Sequence, residues 1–184
     1  RVPTVKRILF TSSTAVYAQD DGSWVNEESP TEPKHFSGQC VLEGERIIRD
    51  SGVGVSLRLG GIYGPGRTRL IESVRNGTAR IESGPQRYLN LNHRDDCASA
   101  LEHLLFLESP APVYLGCDGH PEDRNTVLRW IAEKVGVELA AGDAGNEVPT
   151  ARQATNKRCS NTRLVESGYQ FTYPSFREGY GALV

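Results

Sequence analysis

The stretch TSST, residues 11–14, closes a short apolar run that begins at Arg7. A buried strand that ends in hydroxyl residues sets them at the carboxyl edge of a sheet, where doubly wound α/β folds bind ligands. Ser12, Ser13 and Thr14 are therefore candidates to hydrogen-bond a bound molecule, with plain capping of the strand end as the alternative. Titratable groups within plausible reach of that edge are Tyr17, Lys34, His35, Cys40 and Tyr63. His35 has the right intrinsic range for proton transfer, but a lone histidine at a loop–helix junction is ordinarily a solvated surface residue. Lys34, just before the helix, reads as exposed. Cys40, on the apolar side of that helix, reads as a small buried hydrophobe. Cys40, Cys97, Cys117 and Cys159 lie far apart without a CxxC pair, which suggests neither a zinc site nor a disulfide framework.

The elements that must position these residues alternate between strand and helix. RILFTS (7–12) reads as a buried strand, and the polar stretch 18–35 as a loop rich in turn residues. From Phe36 to about Asp50, Cys40, Val41, Ile47 and Ile48 recur at helical spacing, and Ser51-Gly52 ends the run. GVSLRLGGI (54–62) reads as a second buried strand, followed by the turn YGPGR and a short helix closed by Gly77. A third strand near 88–92 leads into a helix with Cys97, Leu101, Leu104 and Leu105 on one stripe and Asp95 and Asp96 in its first turn, where negative charge suits the helix dipole. The strand PVYLGC, the helix NTVLRWIAEKVG and a short helix in the tail follow, and residues 138–158 read as a loop or linker. The order implies a parallel sheet in a three-layer α/β sandwich.

The chain has 184 residues, enough for one well-buried domain. Its 21 basic and 23 acidic residues give a net charge of -2 and are spread along the chain, so nothing in the charge pattern points to nucleic acid or an anionic lipid surface. No apolar run approaches the roughly 18 residues of a membrane helix. The expectation is a cytoplasmic protein with a small-molecule substrate and no nucleic-acid or membrane partner. Asn76-Gly77-Thr78 reads as a turn rather than a glycan site. The chain begins at Arg1 and contains no methionine, which points to a fragment.

Five segments, ILFTSSTAVYA, VNEESPTEP, VSLRLGGIYGPGR, HRDDCASAL and SNTRLVESGYQFTYP, taken in order, resemble the extended short-chain dehydrogenase/reductase family, the NAD-dependent epimerase/dehydratases acting on nucleotide sugars. The resemblance implies a Rossmann-like doubly wound sheet of which this chain carries the C-terminal part: residues 1–64 as the second half of the dinucleotide-binding domain and 65–184 as a substrate-binding region interleaved with the remaining strands. It implies that on the order of 100 residues of strand–helix units precede the match. It further implies Ser13 as the catalytic serine, Ser12, Leu59, Gly60, Gly61 and Ile62 as contacts to NAD or NADP, and Thr14, Tyr17, Arg67 and Arg69 on the substrate side. A structural role for Tyr17 and solvated surface positions for the two arginines are the competing readings. His93, Asp95 and Asp96 match an element that orders a helix start. The family often dimerises through the helix that begins here at Phe36.

One departure matters. The family's catalytic tyrosine and the lysine one helical turn later fall on Phe36 and Cys40. Phe36 has no hydroxyl to donate and Cys40 has neither the positive charge nor the reach of lysine, and losing a positioned acid/base costs about two to four orders of magnitude in rate. The segment FSG resembles a subgroup of bacterial epimerase/dehydratase-like proteins that lack the full pair. No glycine turn of the pyrophosphate-binding kind follows a strand here. Three readings stay open: an oxidoreductase with a degenerate site, a non-catalytic relative that binds a dinucleotide or nucleotide sugar as sensor or scaffold, and a fragment that binds nothing until a partner supplies the missing strands.

Overall fold

The computed structural model describes residues 4–142 and 155–184. In chain order the elements are β1 (Ile8–Ser13), β2 (Trp24–Val25), α1 (Phe36–Asp50), β3 (Gly54–Leu59), β4 (Gly61–Tyr63), α2 (Arg69–Arg75), β5 (Arg80–Ile81), β6 (Tyr88–Leu89), β7 (Leu91–His93) and α3 (Arg94–Phe106). They continue with β8 (Val113–Gly116), β9 (Glu122–Asp123), α4 (Arg124–Val135), β10 (Ala140–Ala141), β11 (Arg158–Cys159), α5 (Thr162–Glu166) and α6 (Phe176–Gly181).

A parallel sheet in the order β1-β3-β8 is the frame, with Ser12 opposite Arg58 and Leu59 opposite Gly116. Side chains alternate between the faces of a strand, and the alternation sorts two layers of helix. Val55, Leu57 and Leu59 pack with Cys97, Ala100 and Leu104 of α3. On the opposite face, Phe10 lies against Gly44 of α1, and Ser12 and Arg58 bond to Glu45 of the same helix. A Cβ at Gly44 would come within 2.7 Å of the Phe10 ring, so the glycine lets the helix approach the sheet. Helices on both faces of a parallel sheet form the expected three-layer α/β sandwich, of Rossmann-like type. Among the described strands β1 pairs only with β3, which leaves its other edge open.

A second core lies beyond the carboxyl end of the sheet. Parallel β4 and β7 bring Tyr63 and Leu91 against Ile71 and Val74 of α2, Val127, Leu128 and Ile131 of α4, and Phe176 and Tyr180 of α6. Asp123 caps α4 by accepting from the Thr126 amide at 3.3 Å, and Gly136 closes it at φ 71°, a left-handed conformation open to glycine.

Several sequence expectations change in detail. The single strand expected at 54–62 is two, because Gly60 breaks it: a Cβ there would meet the Asn90 carbonyl oxygen at 2.3 Å. The strand near 88–92 likewise divides into β6, antiparallel to β9, and β7, parallel to β4. The inner stripe of α1 is Gly38, Val41, Leu42, Glu45 and Ile48, so Cys40 is an exposed thiol rather than a buried hydrophobe, and Ile47 points outward. In α3 the buried stripe is Cys97, Ala100 and Leu104, with Leu105 exposed. Of the loop expected at 138–158, residues 140–141 pair with β5 and 158–159 with β2, while 143–154 lie outside the described residues.

No helix among the described residues is long and apolar enough to cross a membrane. Among those residues no group of three or more His, Cys, Asp or Glu side chains is placed to hold a metal ion.

Candidate functional site

β1 ends in Ser13, whose hydroxyl accepts the Ala15 amide at 3.2 Å and so caps the single 3-10 turn Thr14–Val16. That turn, the break at Gly60 and the segment entering β11 surround a cleft of about 130 Å³ lined by Ser13, Thr14, Gly60, Gly61, Asn90 and Lys157, among others. The cleft lies at the carboxyl ends of β1 and β3, the edge at which an open parallel sheet binds its ligands.

Lys157 is the charged side chain of this lining and is only 5% exposed. Its Nζ donates to Thr155 Oγ1 at 2.8 Å, and no carboxylate faces it among the described residues. Burial holds its ammonium below the ordinary lysine range, opposed by the neighbouring thiols of Cys159 and Cys117. The backbone around it is held firmly: Asn90 donates from Nδ2 to the Lys157 carbonyl at 2.9 Å and accepts the Cys159 amide on Oδ1 at 2.6 Å. Asn156, next in sequence, accepts the Tyr88 amide at 2.9 Å.

Beneath α1 lies a different polar group. Arg58 forks onto Glu45, with Nε to Oε1 at 2.8 Å and Nη2 to Oε2 at 2.7 Å, and its Nη1 donates to the Tyr17 hydroxyl at 2.7 Å. The Tyr17 hydroxyl donates onward to the Asn26 carbonyl at 2.7 Å, and Ser12 donates to Glu45 Oε1. All four side chains are buried. Burial pushes the Tyr17 phenol well above its ordinary range despite the neighbouring guanidinium. This network ties β1, β3 and α1 together and fixes the register in which the helix sits on the sheet.

The expected site residues thus fall into five places. Ser13, Thr14, Gly60 and Gly61 come together at the cleft. Ser12 and Tyr17 have their hydroxyls enclosed in the network under α1, and Leu59 and Ile62 pack in the core that faces α3. Phe36, 80% exposed, and Cys40 lie on the outer face of α1, and Arg67 and Arg69 are exposed around the turn before α2; none of the four lines the cleft. Sequence reasoning missed Lys157 and Glu45. Lys157 sits in a stretch that reads as linker, and its only signal is a lone lysine flanked by polar residues. Glu45 occupies the inward spacing of α1, and a carboxylate in a helix stripe opposite a strand arginine was the available signal. Asp96 is the tail's anchor: it accepts the Tyr169 hydroxyl at 3.0 Å and the amides of Thr172 and Tyr173 at 2.8 and 2.9 Å.

No family model matches the chain. Among curated proteins, Protein YeeZ of Escherichia coli K12 is 30% identical over 173 residues, covering 92% of this chain and 60% of YeeZ. A solved structure from Methylobacillus flagellatus, provisionally named as an NAD-dependent epimerase/dehydratase, superposes at a TM-score of 0.81 with 35% identity, covering 97% of this chain and 63% of that one. The Bordetella bronchiseptica enzyme WbmG, solved with NAD and UDP, shares the fold at a TM-score of 0.77 with 20% identity, over 96% of this chain and 58% of WbmG. The chain therefore spans about three fifths of the length of these relatives. The parallel three-layer sheet is the fold of these structures, and with the hydroxyl-tipped β1 and the glycine break after β3 the likenesses support the extended short-chain dehydrogenase/reductase family.

Proposed function

We propose that the chain is the C-terminal part of an NAD(P)-binding, epimerase/dehydratase-like oxidoreductase that acts on a nucleotide sugar or a similar small molecule. In this reading residues 1–64 complete the dinucleotide-binding domain and 65–184 supply the substrate side. The observation that carries it is the gathering of Ser13, Thr14, Gly60 and Gly61 around one cleft at the carboxyl edge of the sheet. WbmG, which shares the fold and was solved with NAD and UDP, supports the ligand class.

The cleft fits one end of such a cofactor. About 130 Å³ is well below the roughly 300–1,000 Å³ of a pocket that encloses a whole small molecule, so it admits a ring-sized group and not a dinucleotide. Gly60 and Gly61 would offer close backbone approach to a nicotinamide ring, and Ser13 a hydroxyl for the substrate oxygen. When bound, the nicotinamide supplies a hydride acceptor or donor. Leu59 and Ile62 back this wall from the core, and the buried Arg58–Glu45 pair keeps the strand ends in place.

A second reading is a non-catalytic binder of the same ligands, favoured by Phe36 and Cys40 at the positions of the family's tyrosine and lysine. Titration of NADH and NADPH into this chain and into any longer form that carries it, followed by nicotinamide fluorescence, separates the cases. Binding by the longer form alone is the expected result. Absence of binding by either removes the oxidoreductase reading and leaves the scaffold in front. The outer face of α1, with Phe36 and Ile47 exposed, is the surface for a homodimer in the same proposal.

A further inference from the structure

We propose that Lys157 is the proton-exchanging group of the cleft, contacting the hydroxyl or carbonyl oxygen of a sugar-like substrate that Ser13 also faces. The inference rests on the proposed reading for its substrate class and goes beyond it in naming the residue. Among the lining residues Lys157 alone carries an amine that can both give and take a proton. One of its donor directions is spent on Thr155, which leaves the rest of the nitrogen for a ligand. Its segment is pinned at both flanks by Asn90 and Asn156, so the amine is delivered from a fixed backbone rather than from a free tail. Such support is what a reacting group requires and what a solvated surface lysine lacks.

The acid–base logic follows from the neighbours. The groups that act electrostatically on Lys157 are the Cys159 and Cys117 thiols, and no described carboxylate stabilises its ammonium. The hydrogen bond with Cys159, together with burial, pushes Cys117 well above its usual range, so it stays a neutral thiol at physiological pH and sets no full negative charge beside the amine. A lysine in such surroundings becomes available as a neutral base. In the exchange the proton passes from the substrate hydroxyl to the Nζ lone pair, the O–H electron pair staying on oxygen, and the reverse transfer protonates a developing alkoxide. Phe36 and Cys40, outside the cleft, take no part.

The test is reductive methylation with formaldehyde and a hydride donor across a pH series, with Lys6, Lys34, Lys134 and Lys157 quantified separately by mass spectrometry. The labelling rate of an ordinary lysine falls about a hundredfold from pH 10 to pH 8, following the fraction of free amine. Lys157 is expected to lose no more than about tenfold over that interval, and bound NADH or UDP-glucose to slow its labelling. An amine that takes no label in the native protein is sealed in the core, and one that follows the ordinary slope is an unperturbed cation; either result overturns the assignment. Cofactor binding by fluorescence without protection of Lys157 also overturns it while leaving the oxidoreductase reading intact. If no cofactor binds, the reading falls instead, and the pH profile still decides whether Lys157 is the proton-exchanging amine.

Discussion

Two sets of buried polar side chains, one under α1 and one around β7 and the end of β8, are built on opposite terms. Under α1, Glu45, Arg58, Tyr17 and Ser12 satisfy one another almost completely. Around β7 and the end of β8, Asn92 is buried with both amide atoms unpartnered among the described residues, and Asp118 has one oxygen bonded to the His120 amide at 3.0 Å and the other unpaired. Lys157, across the cleft from that region's first strand, has a single partner. A satisfied network specifies packing, and an unsatisfied one is costly unless it serves something else. The comparison separates the structural machinery of this chain from the part that has room for chemistry.

The satisfied set is broken hardest by removing one half of its ion pair. Arg58→Leu leaves the Glu45 carboxylate buried without a countercharge, and the loss expected from such a change is about 3–5 kcal/mol of stability. Urea unfolding measures it. The double variant Glu45→Leu with Arg58→Leu is expected to recover most of that loss, since paired apolar replacement of a buried ion pair is often neutral. A single-variant cost near zero means that the network does not hold α1 on the sheet.

The unsatisfied set is sharpened by pH. Burial pushes the Asp118 carboxyl up from 3.8 to about 7, only partly opposed by the His120 amide. Between those values the folded chain holds a proton that the unfolded chain has released. Stability from this group is therefore complete below pH 3.8 and falls as pH rises to about 7. Asp118→Asn removes the fall. Compared at pH 5 and pH 8, the urea midpoint of the parent is expected to drop relative to that of the variant. A parallel pair of profiles means that Asp118 ionises normally in the fold.

The sequence carried the architecture further than the site. Alternating strands and helices, hydroxyls at the tip of β1 and a glycine break after β3 are local patterns, so the three-layer frame was legible from them. Residues that meet across the sheet were not. Glu45 and Arg58 are 13 positions apart and Tyr17 and Arg58 are 41, and the charged residues inside an apolar helix stripe and an apolar strand show that each needs a partner without showing which. Lys157 reaches the cleft from the far end of a stretch with linker composition, held there by Asn90 at a separation of 67 residues. Cys40 was misplaced because a period of 3.6 leaves a neighbour of Val41 equally plausible on either side of the stripe. The inward residue at that level is Leu42, so the stripe turns the other way.

Thiol accessibility tests that assignment without any variant. Cys40 is exposed, while Cys97, Cys117 and Cys159 are buried. One thiol equivalent is expected to react with an aromatic disulfide reagent in the native protein and the other three only in denaturant. Burial also pushes Cys97 up to about 12, which slows its reaction further because the thiolate is the nucleophile. Two or more fast equivalents would place another cysteine at the surface and open the core around β8 and β11 to question.

The smallest effect is expected where family chemistry would have predicted the largest. Phe36→Tyr with Cys40→Lys restores the residue types of the family's acid/base pair at exposed positions of α1, outside the cleft and outside the buried network. Surface substitutions away from special features stay within about 0.5 kcal/mol, so the urea midpoint of the double variant should match the parent's, and its affinity for NADH or NADPH should be unchanged. Turnover is the informative readout. If Lys157 handles the proton from within the cleft, a tyrosine and lysine on α1 add little, and the variant performs as the parent does. A large gain in turnover at constant cofactor affinity would instead mean that the outer face of α1 reaches the reacting oxygen in the longer protein, and that the chemistry was lost at Phe36 and Cys40 rather than moved to the other side of the strand ends.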